Sequence, residues 1–452
     1  VGFSATHEVP ASREEVWDWH TRVGAVARLT PPFVPMTPVQ QANRLSDGTT
    51  IFSLPAGLRW TARHDLSRYR AGYAFTDVCI DAPMRKLAHW RHDHRFADSG
   101  NGNCLVTDTL HSRVPSRLVE GVFAYRQKQL IEDISFLNRL REAGLHGEGD
   151  KLTVAITGSR GGVGRNLSAQ LTTAGHRVIQ LVRSNPKPSQ RLWNPARPSE
   201  DLLEGVDVLV HLAGEPIFGR FNEAHKKALR DSRIAPTTRL AELVANSPSV
   251  STMVSASAIG FYGSDRGDEE LHEGSAAGTG FLADLVQDWE DATAPAANAG
   301  KRVVNVRTGV VLAGNSGMLP VLRTLFSTGL GGSFGDGEFW FSWIAMDDLT
   351  DIYMLSILDS RLEGPINAAA PHPVTNKHMS QALGKALHRP VVVPIPALGP
   401  RILLGKEGAQ ELALADQKVI PAMLAGRGHT FRFPTIEQAL AHELGGEELQ
   451  RA

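Results

Sequence analysis

Residues 158–164 read Gly158-Ser159-Arg160-Gly161-Gly162-Val163-Gly164. They follow a short apolar, β-branched run, Leu152–Thr157, and open a helical face on which Val163, Leu167 and Leu171 fall in line. A strand, a glycine turn and a helix in that order bring bare backbone N–H groups to a helix N-terminus. The partial positive charge there and the missing Cβ atoms let a pyrophosphate lie against the chain. Gly158, Gly161, Val163 and Gly164 are the candidates for that contact. Gly175 stops the helix, and the next strand, 177–182, ends at Arg183, nineteen residues after Gly164. An acidic residue at that place would take ribose hydroxyls. An arginine there, helped by Arg160 from the loop, pairs instead with a 2′-phosphate, so the expected cofactor is NADP (NADPH).

A second polar cluster is His89-Trp90-Arg91-His92-Asp93-His94. On a strand, His92 and His94 share one face with Trp90, and His89 and Asp93 take the other. Two histidines are too few to hold a metal, so no metal site is expected and the segment reads as a polar strand over a cavity or solvent.

These groups need scaffolds, and 452 residues at about 150 per domain allow two or three. Up to about residue 140 the pattern is mostly strand-like. Ser12 and Glu15 form a capping box for a short helix to about Val23. The β-rich runs Thr49–Leu54, Leu58–Leu66, Tyr73–Cys79, Leu87–Phe96 and Cys104–Val114 suggest an antiparallel meander. A long helix over Leu118–Leu140 closes the unit, with Phe123, Leu130, Ile134 and Leu137 on a buried face. This order resembles the START-like helix-grip fold of the polyketide-cyclase and lipid-transport group (SRPBCC). The resemblance implies a cavity between helix and sheet that takes an apolar ligand. Glycines among charges over 141–151 read as a linker.

From Gly158 onward the glycine spacing is similar to that of extended and atypical short-chain dehydrogenases/reductases. Asp207–Pro216 resembles the fourth strand and cofactor-lining turn of that superfamily, which implies cofactor contacts from Ala213, Gly214, Glu215 and Arg220. Val254–Gly263, with Ser257 and Tyr262, resembles the fifth strand and active-site serine segment of sugar-nucleotide epimerases. Arg307–Leu312, Gly329–Gly332, Trp340–Ile344, Asp347–Leu349, Asn367–Pro371, Pro394–Pro396 and the stretch from Leu404 to Pro421 resemble the nucleoside-diphosphate-sugar epimerase-like subgroup of the NAD-dependent epimerase/dehydratase family. Some members of that subgroup carry a START-like N-terminal domain.

The resemblance also shows two departures. The superfamily's tyrosine and lysine, four residues apart on a helix, exchange a proton with the substrate and hold the nicotinamide ribose. The matching helix, 280–290, carries Phe281 and Leu285 in those places, and neither transfers a proton. A histidine expected after Ser342-Trp343-Ile344 is replaced by Ala345. Ser257 is left to polarise a substrate oxygen, and Tyr262 is the nearest phenol that could stand in for the missing acid. An unassisted phenol titrates near 10, far from the ideal for a general base at neutral pH. Trp193-Asn194 suits either an adenine contact or loop packing, and Asp347-Asp348 reads as an exposed helix cap.

Forty-seven basic against 48 acidic residues leave a net charge of −1, without the basic footprint of a nucleic-acid binder. No apolar run reaches the roughly 18 residues of a membrane span. Cys79 and Cys104 are too few for a disulfide framework and no leader pattern is visible, so a cytoplasmic location is expected. The expected architecture is an α+β START-like domain (1–140), a linker (141–151), and a Rossmann-type doubly wound NADP-binding domain (152–315). A smaller substrate lobe and C-terminal segment (316–452) then return in part to the Rossmann body. The expected activity is that of an NADP-dependent epimerase-like oxidoreductase on a small polar or nucleotide-linked substrate. The alternative is a non-catalytic NADP(H) sensor or scaffold.

Overall fold

The computed structural model describes every residue except Val1, Glu148, Val393, Ala397, Arg451 and Ala452; Glu148 of the expected linker and the other five lie outside the described residues. The chain forms two compact units, one of Val1–Asp150, Ala169–Gly175 and Ala441–Ala452, the other of Lys151–Ser168 and His176–Leu440.

In the first unit β1 (Gly2–Val9) alternates, burying Phe3, Ala5, His7 and Val9. Ser12 caps α1 (Arg13–Thr21), its Oγ accepting the Glu15 N–H at 3.2 Å. The strands β2 (Thr37–Gln40), β3 (Thr49–Ser53), β4 (Arg59–His64), β5 (Ala74–Cys79), β6 (Arg91–Asp98) and β7 (Cys104–His111) then run as an antiparallel meander. β1 joins it beside β7, giving the order β1-β7-β6-β5-β4-β3-β2. β2, hidden from pattern reading by Pro38, lies at the sheet edge, where a missing N–H is tolerated. β6 starts later than expected because Met84–Ala88 is helical and His89 is left-handed at φ 51°, so His89 is not on the strand. The long helix α2 (Ser116–Glu142) places Val119 and Phe123 against Phe3, Ala5 and Leu110.

The C-terminal residues group with this unit rather than with the Rossmann body. His442 stacks on Tyr125 with ring centroids 4.4 Å apart, and the Gln450 N–H donates to Gln127 Oε1 at 2.8 Å. Such contacts join residues more than 300 apart in sequence, which pattern reading does not reach.

The second unit is built on seven parallel strands: β8 (Thr153–Thr157), β9 (Arg177–Val182), β10 (Gln190–Leu192), β11 (Val208–His211), β12 (Thr252–Ala258), β13 (Arg302–Thr308) and β14 (Gly364–Ala368). Their order is β10-β9-β8-β11-β12-β13-β14. The chain steps one way from β8 to β9 and later resumes on its other side at β11, so a crevice opens beyond the carboxyl ends of β8 and β11. Val154, Ala155, Ile156 and all of β11 are buried, as strands covered on both faces require. The helices α3 (Gly162–Thr173), α4 (Phe281–Asp291) and α5 (Met346–Leu358) complete the elements that bear on the site. No described helix is long and apolar enough to cross a membrane.

Candidate functional site

β8 delivers its chain into the glycine turn at the crevice. Gly158 has φ 67°, and a Cβ there would stand 2.8 Å from the Leu212 carbonyl carbon and 2.9 Å from the Ala213 nitrogen. A Cβ on Gly164 would stand 2.4 Å from the Gly158 oxygen. Both positions therefore exclude any side chain, the first because the turn after β11 abuts it, the second because the turn folds on itself. The two strand ends are also tied through Thr157. Its Oγ1 accepts the Leu212 and Ala213 N–H groups at 3.1 and 3.2 Å and lies 2.7 Å from His211 Nδ1, while His211 Nε2 lies 3.0 Å from Thr237 Oγ1. Burial, with the Arg233 charge adding to it, lowers the His211 imidazole to about 4, so it is neutral at pH 7.

Gly158, Gly161, Val163, Gly164 and Ala213 are thus gathered around one turn. The Ser159 hydroxyl is buried in that turn and has no hydrogen-bond partner among the described residues. Bare glycines and an orphaned donor at a helix N-terminus fit a dinucleotide's phosphates. Arg160 Nη2 donates to the Ser184 and Asn185 carbonyls at 3.2 and 3.3 Å, which brings it to the exposed turn that begins with Arg183. Gly214 and Glu215 continue the turn after β11, with Arg233 donating to the Glu215 carbonyl at 2.9 Å. Arg220 is not brought to the cradle by any described contact; its carbonyl accepts the Asn222 N–H at 2.8 Å, and its side chain passes Gly405. Trp193 is core, buried among Ile179, Leu202 and Leu240, and does not offer itself to a nucleotide.

A second polar group occupies the carboxyl ends of β12, β13 and β14. In register, Ser257 pairs with Arg307 and Arg307 with Asn367, so three polar side chains line up across three parallel strands. Arg307 makes a two-pronged ion pair with Glu290 of α4, Nε to Oε1 and Nη2 to Oε2, each 2.8 Å. Ser257 donates to the same Glu290 Oε1 at 2.6 Å. Tyr262 donates to Asn367 Oδ1 at 2.7 Å and accepts from Arg307 Nη1 at 3.1 Å.

This arrangement encloses Tyr262. Its side chain is fully buried, both hydrogen-bonding capacities of its oxygen are used, and burial raises its pKa. In this arrangement it braces the strand ends and presents no proton outward. The Phe281/Leu285 helix carries no replacement. Its N-terminus is capped by Glu411, whose carboxylate accepts the Phe281 and Leu282 N–H groups at 3.0 and 2.7 Å. Asp347 and Asp348 are buried rather than exposed. Asp348 accepts the Arg432 and Phe433 N–H groups at 2.6 and 3.1 Å, and burial raises its carboxyl to about 7.

Glu290, Arg307, Asn367, Thr157 and His211 were not marked as site residues by sequence reading. One signal was present: a charged Arg307 ends an otherwise buried strand, Val303–Val306, and a buried charge needs a partner. Its partner, seventeen residues earlier on α4, has no local signature.

Residues 154–369 match the NAD dependent epimerase/dehydratase family, and residues 395–443 match a domain of unknown function (DUF1731). Epimerase family protein MT2273 of Mycobacterium tuberculosis is 43% identical over 293 residues, 64% of this chain and 96% of that protein. The crystal structure of the nucleoside-diphosphate sugar epimerase from Corynebacterium glutamicum shares 56% identity and a TM-score of 0.89, covering 99% of this chain and 91% of that one. The human epimerase family protein SDR39U1 (isoform 2), crystallised with NADPH, shares 30% identity and a TM-score of 0.60 over 65% of this chain and 99% of its own. With its glycine turn, its strand order and these likenesses, the chain belongs to the NAD dependent epimerase/dehydratase family.

Proposed function

We propose that the second unit binds NADP(H) and acts as an epimerase-like oxidoreductase on a small polar or nucleotide-linked substrate. The observation that carries this reading is the turn Gly158–Gly164 at the β8/β11 switch point, where Gly158 and Gly164 admit no side chain and Arg160 reaches the turn that begins with Arg183. Gly158, Gly161, Val163, Gly164 and Ala213 would hold the pyrophosphate, Arg160 and Arg183 the 2′-phosphate, and Gly214 and Glu215 the turn beside it. The human relative crystallised with NADPH supports the choice of nucleotide. When bound, the nicotinamide supplies hydride chemistry.

Ser257 is the proposed substrate contact. With its hydrogen held by Glu290, its oxygen keeps lone pairs for a substrate hydroxyl and is a poor donor to a carbonyl. The enclosed Tyr262 and the Phe281/Leu285 helix favour a second reading, in which NADP(H) is sensed without turnover and a START-like N-terminal domain carries an apolar ligand. That unit encloses a cavity of about 340 Å³ lined by Phe52, Trp60, Phe75 and Trp90.

NADPH oxidation followed with nucleotide sugars and simple carbonyls separates the two. Turnover reduced by Ser257→Ala supports the enzyme. Tight NADPH binding without turnover on any of them supports the sensor.

A further inference from the structure

The inward face of the first unit's sheet gathers groups that the sequence keeps apart. In register, Asp77 of β5 pairs with His92 of β6, and His94 of β6 pairs with Asp108 of β7. His92, His94 and Asp108 are 5%, 4% and 4% exposed. The two imidazole centroids are 3.8 Å apart, and the rings are flanked by carboxylates on both sides.

The two sides differ in distance. Toward Asp108, His92 Nε2 lies 2.7 Å and His94 Nδ1 3.1 Å from Oδ1, which are hydrogen-bond lengths. Toward Asp77, His92 Nδ1 lies 3.5 Å and His94 Nε2 3.4 Å from Oδ2, long for charge-assisted bonds. Ligand atoms about 2.0–2.1 Å from a tetrahedral metal stand about 3.3 Å from one another, close to the spacing on the Asp77 side.

We propose that Asp77 Oδ2, His92 Nδ1 and His94 Nε2 hold a divalent transition-metal ion, with Asp108 orienting both imidazoles through their other nitrogens. Two histidines and one carboxylate with open positions are a donor set for zinc or iron(II). A carboxylate behind metal-bound histidines fixes their tautomer and orientation. All three ligands line the 340 Å³ cavity, so the open positions face a space a small, largely apolar molecule can enter.

The neighbouring histidines show why these two are chosen. His20 and His64 line the same cavity, but each directs Nδ1 to a backbone carbonyl, Val16 at 2.7 Å and Arg44 at 3.1 Å. His7, 2% exposed on β1, has no hydrogen-bond partner among the described residues on either ring nitrogen, so the polar face is not self-satisfied. Sequence alternation reveals only the His92/His94 pair. Asp77 and Asp108 join it once the strand register is set, which is why no metal was expected.

The test uses the full chain, stripped with a chelator and titrated with cobalt(II) alone. The expected result is one equivalent bound with visible ligand-field bands, displaced by zinc. Asp77→Asn should weaken cobalt binding by at least about 100-fold and Asp108→Asn by about 10- to 100-fold. Asp77→Asn is nearly isosteric, and retained circular dichroism with unchanged NADPH affinity shows that each variant is folded. Cobalt binding that is absent, or equal in wild type and Asp77→Asn, overturns the proposal and leaves the cluster a proton-filled polar network.

Discussion

Ser257 gives its hydroxyl hydrogen to Glu290 Oε1 across 2.6 Å, and the same oxygen accepts from Arg307 Nε at 2.8 Å. One carboxylate on α4 therefore sets both the direction of the serine's lone pairs and the charge balance beneath it. Removing one partner of a buried ion pair leaves the other uncompensated, at about 3–5 kcal/mol. Glu290→Ala should lower the unfolding free energy by that order in urea. A change under about 1 kcal/mol would mean that the pair is solvated in solution.

Tyr262 separates a bracing role from a proton-donating one. Tyr262→Phe removes a hydroxyl shared by Arg307 and Asn367 and should cost about 1–3 kcal/mol of stability. Turnover per folded molecule should remain within a few-fold. Stability near wild type with turnover abolished would restore the phenol as the proton source.

The difference between these two hydroxyls marks how far the sequence reads. Gly158, Gly161 and Gly164 announced their turn because sterics act within seven residues, and Arg183 followed from counting along a strand and a helix. Phe281 and Leu285 stood out because a helical spacing of four is local. The environment of Tyr262 was hidden because Arg307 and Asn367 reach it from strands 45 and 105 residues away. The grouping of 441–452 with the first unit was hidden for the same reason.

Gly164 tests the cradle. A Cβ at 2.4 Å from the Gly158 oxygen and 2.7 Å from Ser159 Cα meets backbone, which has little room to yield. Gly164→Ala should lose about 1–3 kcal/mol of stability from overpacking and at least about tenfold in NADPH affinity. Calorimetric titration with unaltered affinity would place the nucleotide elsewhere.

His211 gives a pH signature. Its imidazole falls from 6.5 to about 4 in the fold, chiefly through burial. The folded form therefore binds fewer protons than the unfolded chain between those values. Its contribution is present above about pH 6.5 and is lost as pH falls toward 4, on the order of 3 kcal/mol in all. Unfolding free energies measured from pH 7 to 4.5 should decline less steeply in His211→Asn than in wild type. Parallel curves would show that His211 is not the linked group.

Equilibrium titration of NADPH against NADH, in wild type and Arg183→Ala, bears on the nucleotide assignment itself. Wild type should prefer NADPH, and Arg183→Ala should weaken NADPH by about 10- to 100-fold, the worth of a charge-assisted hydrogen bond, while NADH stays within about twofold. Equal affinity of wild type for the two nucleotides, or equal weakening of both by the substitution, would contradict recognition of a 2′-phosphate by Arg183.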